Sequence, residues 1–83
     1  SMENTLAYLK TLKEELHKSE AEIVALALET GLRDLMRERV LAKYLRGQIG
    51  RDEAIAAAGI DWVEMAERQR DAMQADLAWA LKA

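Results

Sequence analysis

The sequence predicts an all-α protein, and three observations indicate this class. Proline and phenylalanine are absent and only four glycines occur among 83 residues, which argues against a sandwich or barrel. Helix-forming Ala, Leu, Glu, Arg and Lys dominate. Apolar residues also recur at intervals of three and four. We expect a single domain over residues 1–83 with four to five helices, a helix-turn-helix-like corner and an intertwined or helix-paired dimer.

Size and composition limit the function classes. Isolated domains below roughly 70–80 residues rarely gain more than a few kcal/mol on folding, so a homo-oligomer, a dimer or higher, is expected. The net charge of −3 excludes an overall cationic attraction to nucleic acid or lipid. The absence of cysteine fits a reducing compartment. With no signal-peptide pattern and no apolar run near 20 residues, a cytoplasmic protein without membrane contact is predicted.

The N-terminal segment is predicted to be a first amphipathic helix, capped by Asn4 or Thr5. A short strand that pairs across a dimer is the alternative, because periodicity alone does not separate the two. The evidence for helix is a leucine series at helical spacing: Leu6, Leu9, Leu12 and Leu16.

A capping box, Ser19 with Glu22, predicts that a second helix begins near Glu20. Its apolar positions continue for about seven turns. Gly31 lies inside this run and costs about 1 kcal/mol against alanine in a helix interior. It therefore indicates either a close helix crossing or a break. Gly47 then predicts the C-terminal stop of this long helix.

The C-terminal part is predicted to contain a short helix over residues 51–58, a corner at Gly59 and a last helix from Trp62 to about Leu81. Asp61, with Glu64 three residues on, is the expected cap of the last helix. The apolar positions of this helix cover about half of its circumference, more than one core requires. We expect part of that surface to bind another chain, with these anchors: Trp62, Met73, Leu77 and Trp79.

Catalytic patterns are missing from the sequence. Glu14 and His17 have the Glu-x-x-His spacing of di-iron bundles, but no second such motif accompanies them. No nucleophile with a possible base and no glycine-rich phosphate loop occurs. The sequence therefore predicts no enzyme, no metal and no cofactor.

A basic cluster in the centre of the chain leaves two interpretations open. It is either a solvated helix face with intrahelical ion pairs or a site for an acidic partner such as DNA. The corner at Gly59 has helix-turn-helix spacing, but its second helix begins with acidic residues, which favours a structural role. The candidate DNA-binding residues are Arg33, Arg37, Lys43, Arg46 and Arg51.

Residues 44–62 resemble the signature of small prokaryotic antitoxin-like proteins, in which a long helix, a glycine turn, an alanine-rich helix and an aromatic-containing helix follow one another. Residues 19–32 are similar to the second helix of ribbon-helix-helix antitoxins. Gly50 replaces the capping serine that is usual in this family. The matching positions are Tyr44, Gly47, Ile49, Ala54, Ala58, Gly59, Ile60 and Trp62.

The resemblance implies an antitoxin encoded beside a PIN-domain ribonuclease toxin, which it binds and silences. We expect residues 2–49, with the long helix, to form the dimerisation part, and residues 50–83 to contain the helical corner and the partner-binding helix. The alternatives from other classes are a DNA-binding transcriptional regulator and a helical assembly subunit without a toxin.

Overall fold

A computed structural model describes residues 1–82 of the chain. In this range the chain forms four helices and no strand, which confirms the all-α class. The helices are α1 (Met2–Leu16), α2 (Glu20–Leu45), α3 (Arg51–Ala58) and α4 (Ile60–Lys82). None of these helices combines the length and the apolar character that crossing a bilayer requires.

Packing divides the chain into two units, with the boundary inside α2. We call Ser1–Asp34 the N-terminal unit and Leu35–Ala83 the C-terminal unit. The four buried apolar side chains are distributed unequally between them. The N-terminal unit holds one, Ile23, whereas the C-terminal unit holds Ala54, Val63 and Ala66.

The first helix forms as predicted, but its cap is different. Ser1, not Asn4 or Thr5, caps α1, because its hydroxyl accepts the backbone N–H of Asn4 at 3.3 Å. The helix ends at His17, whose backbone is left-handed with φ 54°. The N–H of Lys18 then donates to the carbonyl of Lys13 at 3.3 Å, so the local turn satisfies a helix-end carbonyl.

The capping box at the start of α2 is confirmed in both directions. The Ser19 hydroxyl accepts the N–H of Glu22 at 3.1 Å, and the Glu22 carboxylate accepts the N–H of Ser19 at 3.2 Å. The bond from the Ser19 backbone holds the pKa of Glu22 below its ordinary value. The helix continues without a break through Gly31 and ends at Leu45, two residues before Gly47, whose φ is 78°.

The N-terminal unit is a helical hairpin with an open groove between its two helices. The groove has a volume of about 450 Å³. We call it the hairpin groove, and its lining is Thr5, Tyr8, Leu9 and Leu12 from α1 with Ile23, Val24, Ala27 and Leu28 from α2. No charged side chain is in this lining. Only Ile23 is buried, so the groove exposes an apolar surface.

The C-terminal unit is built around the corner between α3 and α4, whose backbones are in close contact. Gly59 is the single residue between these helices and has φ 94° and ψ 147°, a conformation that is essentially restricted to glycine. The prediction that Asp61 caps the last helix is wrong. The helix begins at Ile60, before Asp61, because the Gly59 carbonyl already accepts the N–H of Val63 at 3.2 Å.

We predict that Gly59→Ala lowers the free energy of unfolding by about 1–3 kcal/mol, since a Cβ at this φ and ψ strains the backbone. Urea unfolding at one fixed chain concentration measures the effect. Gly50→Ser is the matched control. Gly50 has φ −79° and caps α3 without a side-chain hydrogen bond, so a serine there should raise stability by about 0.3 kcal/mol. Equal effects of the two substitutions would contradict this account of the corner.

Candidate protein-binding surface

A carboxylate on α4 joins all three helical segments of the C-terminal unit. The Tyr44 hydroxyl at the end of α2 donates to Glu67 Oε2 at 2.6 Å. Arg51 at the start of α3 donates to the same carboxylate through Nε at 2.9 Å and Nη2 at 3.1 Å. A bidentate arginine pair is among the stronger hydrogen-bonded contacts in proteins. We call Tyr44, Arg51 and Glu67 the carboxylate node.

The electrostatics of the carboxylate node follow from these bonds. The Arg51 guanidinium, helped by the Tyr44 hydroxyl, lowers the pKa of Glu67 to about 2. The bond to the ionised carboxylate also raises the pKa of Tyr44 and that of Arg51. The node therefore holds Glu67 ionised, with its side chain 19% exposed, and orients α4 against the ends of its neighbours.

A second polar contact covers part of the aromatic residue at the start of α4. The guanidinium carbon of Arg37 lies 4.0 Å from the centroid of the Trp62 ring, which is cation–π geometry. Trp62 remains 42% exposed. This predicted anchor therefore already packs within its own unit.

The face of α4 that forms the core continues past its neighbours as an uncovered surface. Val63 and Ala66 are buried in the first half of the helix. In the second half, Met73 and Leu77 follow on the same side but are exposed by 65% and 56%. These residues and Leu81 are therefore not buried within the single chain. The second half of α4 extends beyond the neighbouring segments of the C-terminal unit, so these segments do not cover it.

The exposed end of α4 is apolar on two sides. Trp79 is two residues from Leu77, about 200° around the helix, and is 76% exposed. We call the exposed apolar residues of this segment the α4 tail: Met73, Leu77, Trp79 and Leu81. Trp62 is about 16 Å along the helix from Met73 at 1.5 Å per residue. Three of the predicted anchors thus lie together in the tail, and Trp62 lies apart.

The candidate DNA-binding residues do not form one uniform patch. Arg33, in the N-terminal unit, donates to Glu29 at 2.8 Å, and Arg51 belongs to the carboxylate node. Arg37 packs on Trp62. Lys43, in the last turn of α2, and Arg46, directly after that helix, are exposed and make no ion pair with the described residues.

The sequence pattern did not reveal the carboxylate node. In the sequence, Tyr44 lies at the helical spacing of the apolar positions of α2, and Glu67 lies among the polar positions of α4. Their hydrogen bond connects residues 23 apart in the chain. No local spacing signals such a pair. Across residues 1–82, no group of three or more His, Asp and Glu side chains is placed to hold a metal.

Comparison with known proteins gives no match. No protein-family model fits the chain, and no characterised protein sequence and no solved structure is significantly similar to it.

The pKa of Glu67 predicts a pH-dependent contribution to stability. The carboxyl pKa is lowered from 4.5 to about 2 on folding, so the contribution is present above pH 4.5 and is lost as pH falls from there toward 2. We expect Glu67→Gln to lower the Tm at pH 7, and the gap to the unmodified chain to narrow over this acid range. Thermal unfolding followed by circular dichroism at each pH measures this difference in Tm.

The control for this experiment is Asp76→Asn, which removes an exposed carboxylate from the same helix. Its Tm difference from the unmodified chain should change little over the same pH range. A constant Tm gap for Glu67→Gln between pH 7 and pH 2 would contradict the assignment of this stability to the ionised carboxylate.

Proposed function

We propose that the chain is a non-catalytic, cytoplasmic binding module of antitoxin type that dimerises and neutralises a partner ribonuclease of the PIN-domain class through the end of α4. The observation that carries this proposal is the α4 tail. Its large apolar side chains are exposed by 56–87% at the end of a helix that is otherwise held in place. The resemblance of residues 44–62 to the antitoxin-like signature supports the choice of partner.

The two-sided apolar character of the tail favours a particular mode of binding. Leu77 and Trp79 point to nearly opposite sides of the helix, so a flat partner surface covers only one of them. A groove that encloses the helix covers both. An inhibitor that fills a groove in this way also blocks access to it, which is how a helix without catalytic groups silences an enzyme.

The carboxylate node gives this mode of binding a rigid base. The three residues of the node fix the first half of α4 against α2 and α3 within the C-terminal unit. The tail then extends from a held helix, so less conformational entropy is lost when a partner encloses it. Tryptophan is among the residues enriched at binding hot spots, which makes Trp79 the principal anchor.

We predict that Leu77→Ala combined with Trp79→Ala weakens binding to the ribonuclease encoded beside this gene by at least about 100-fold. Truncation of hot-spot residues costs about 2 kcal/mol or more each. Isothermal titration calorimetry with the purified ribonuclease measures affinity, and a ribonuclease assay measures inhibition. Because both side chains are exposed in the single chain, the substitutions leave its fold intact.

The matched control is Gln74→Ala combined with Lys82→Ala, which truncates two exposed polar side chains of the same segment. This variant should bind within a few-fold of the unmodified chain. Unchanged binding by the Leu77 and Trp79 variant would rule out the tail as the anchor. No binding of the neighbouring ribonuclease by the unmodified chain would rule out the antitoxin function.

A DNA-binding regulator is the second candidate, and the exposed pair Lys43 and Arg46 supports it. A complex held by phosphate contacts weakens steeply as salt rises, whereas one anchored by the α4 tail does not. Reversal of charge at Lys43 and Arg46 tests this function cleanly. Arg51 is a poor choice for the same test, because its removal also breaks the carboxylate node. A helical assembly subunit without a toxin is the outcome if neither ligand binds.

A further inference from the structure

The hairpin groove leaves the N-terminal unit with little core of its own. Ile23 is the one buried side chain of the N-terminal unit, while Tyr8, Val24 and Leu28 are exposed by 65%, 51% and 61%. Burying one such side chain gains only about 1.5–3 kcal/mol, far less than the entropy lost by ordering two helices. A cover over the groove therefore adds to the stability of this unit. A second copy of the chain supplies such a cover wherever its concentration exceeds the dissociation constant of the dimer.

Gly31 indicates how closely that cover approaches. It is one turn beyond Ala27 and Leu28 on the same side of α2. Within the chain it has no packing role, since nothing beyond its own helix backbone lies within 4 Å of the position a Cβ would occupy. Alanine there would make a more stable helix by about 1 kcal/mol. A close crossing by another helix would give the glycine at this position a packing role.

The chain exposes more surface than a typical folded monomer of its mass. Its accessible surface is 6825 Å², whereas a folded monomeric protein of 9.4 kDa exposes about 5,000 Å². The excess of roughly 1,800 Å² is comparable with the area that each partner buries in an obligate homodimer. The hairpin groove contributes one part of this excess, and the α4 tail, which the proposed function assigns to the ribonuclease, contributes another.

The distribution of charge fits contact between two identical groove faces. The N-terminal unit has four basic and seven acidic side chains, a formal charge of −3, so most contacts between two copies would be repulsive. The groove lining has no charged side chain. Contact through this face leaves the acidic groups at the outer surface, where water screens them.

We propose that the hairpin groove holds the same face of a second copy of this chain, so that two N-terminal hairpins pair and their α2 helices cross at Gly31. In this symmetric arrangement each α2 brings a glycine to the crossing, and both backbones approach closely. Leu28 of each copy fills the groove of the other. The inference rests on the dimeric part of the proposed function and adds the surface that performs it.

Sedimentation velocity of the full chain over a wide range of concentration tests the proposal. The unmodified chain should sediment as a dimer. Leu28→Glu should weaken the dimer by at least about 100-fold, because each interface would bury two unpaired carboxylates. Leu26→Glu is the matched control, because it makes the same change only two residues away. Leu26 lies beside Lys18 and Glu22 and is not part of the groove lining. It should leave the dimer unchanged.

Gly31→Leu separates loss of pairing from loss of folding. Leucine forms helix better than glycine, so helix content should stay equal or rise, while the bulkier side chain should separate the crossing helices and weaken the dimer at least tenfold. A monomeric unmodified chain would overturn the proposal. The proposal would also be overturned if the dimer persists in both the Leu28→Glu and the Gly31→Leu variant. It would equally be overturned if Leu77→Ala combined with Trp79→Ala dissociates the dimer.

The ribonuclease titration keeps this inference distinct from the proposed function. Leu28→Glu should lose the dimer and still bind the ribonuclease through α4. Leu77→Ala with Trp79→Ala should keep the dimer and lose the ribonuclease. A Leu28→Glu monomer that binds the ribonuclease as the dimer does would support the groove assignment even if inhibition requires two copies.

Discussion

The shortage of buried apolar side chains is the constraint on which the rest of this structure depends. Four side chains are buried among the residues described, and two of them are alanines. An alanine side chain contributes a single methyl group, so the core supplies little of the free energy that offsets the lost conformational entropy. The helices are regular, but their inner faces carry too few apolar side chains to hold the helices together without further contacts. Each half of the molecule meets this constraint in its own way.

In the C-terminal unit, polar contacts partly replace the missing core. The carboxylate of Glu67 accepts three hydrogen bonds from Tyr44 and Arg51, and Arg37 packs on Trp62. These contacts fix the orientation of the helices that carry them as well as the distance between those helices, since a bidentate pair tolerates little rotation. They hold the first half of α4 and leave its second half uncovered. In the N-terminal unit no comparable polar network replaces the core, and the hairpin stays open along its apolar groove.

Local signals made much of the fold predictable from the sequence. Short-range hydrogen bonds and backbone angles determine the start of α2 at Ser19 and Glu22, its end just before Gly47, and the bounds of α3. The cap of α4 was predicted wrongly because the Gly59 carbonyl already accepts the N–H of Val63, so the helix begins at Ile60. Ser1 capped α1 where a later residue was expected. In both cases a second capping residue lay within a few positions of the expected one.

The site was harder to predict, for two physical reasons. The carboxylate node joins residues 16 and 23 apart in the chain, and a single sequence has no pattern that records such a distance. Helical periodicity also shows which side of α4 is apolar without showing what covers it. Only the structure shows which of these apolar positions the chain itself covers: Val63 and Ala66 are buried, whereas Met73 and Leu77 are exposed. The structure also shows that a Cβ at Gly31 would have no neighbour within 4 Å inside the chain.

The central claim is that contacts with other chains complete the core of this protein. Thermal unfolding followed by circular dichroism at increasing chain concentration tests it most directly, since association in the folded state alone makes the Tm depend on concentration. We expect the Tm to rise steadily as the chain concentration increases. A Tm that stays constant over that range, with a cooperative transition, would contradict the claim, because it would show that the single chain is stable by itself.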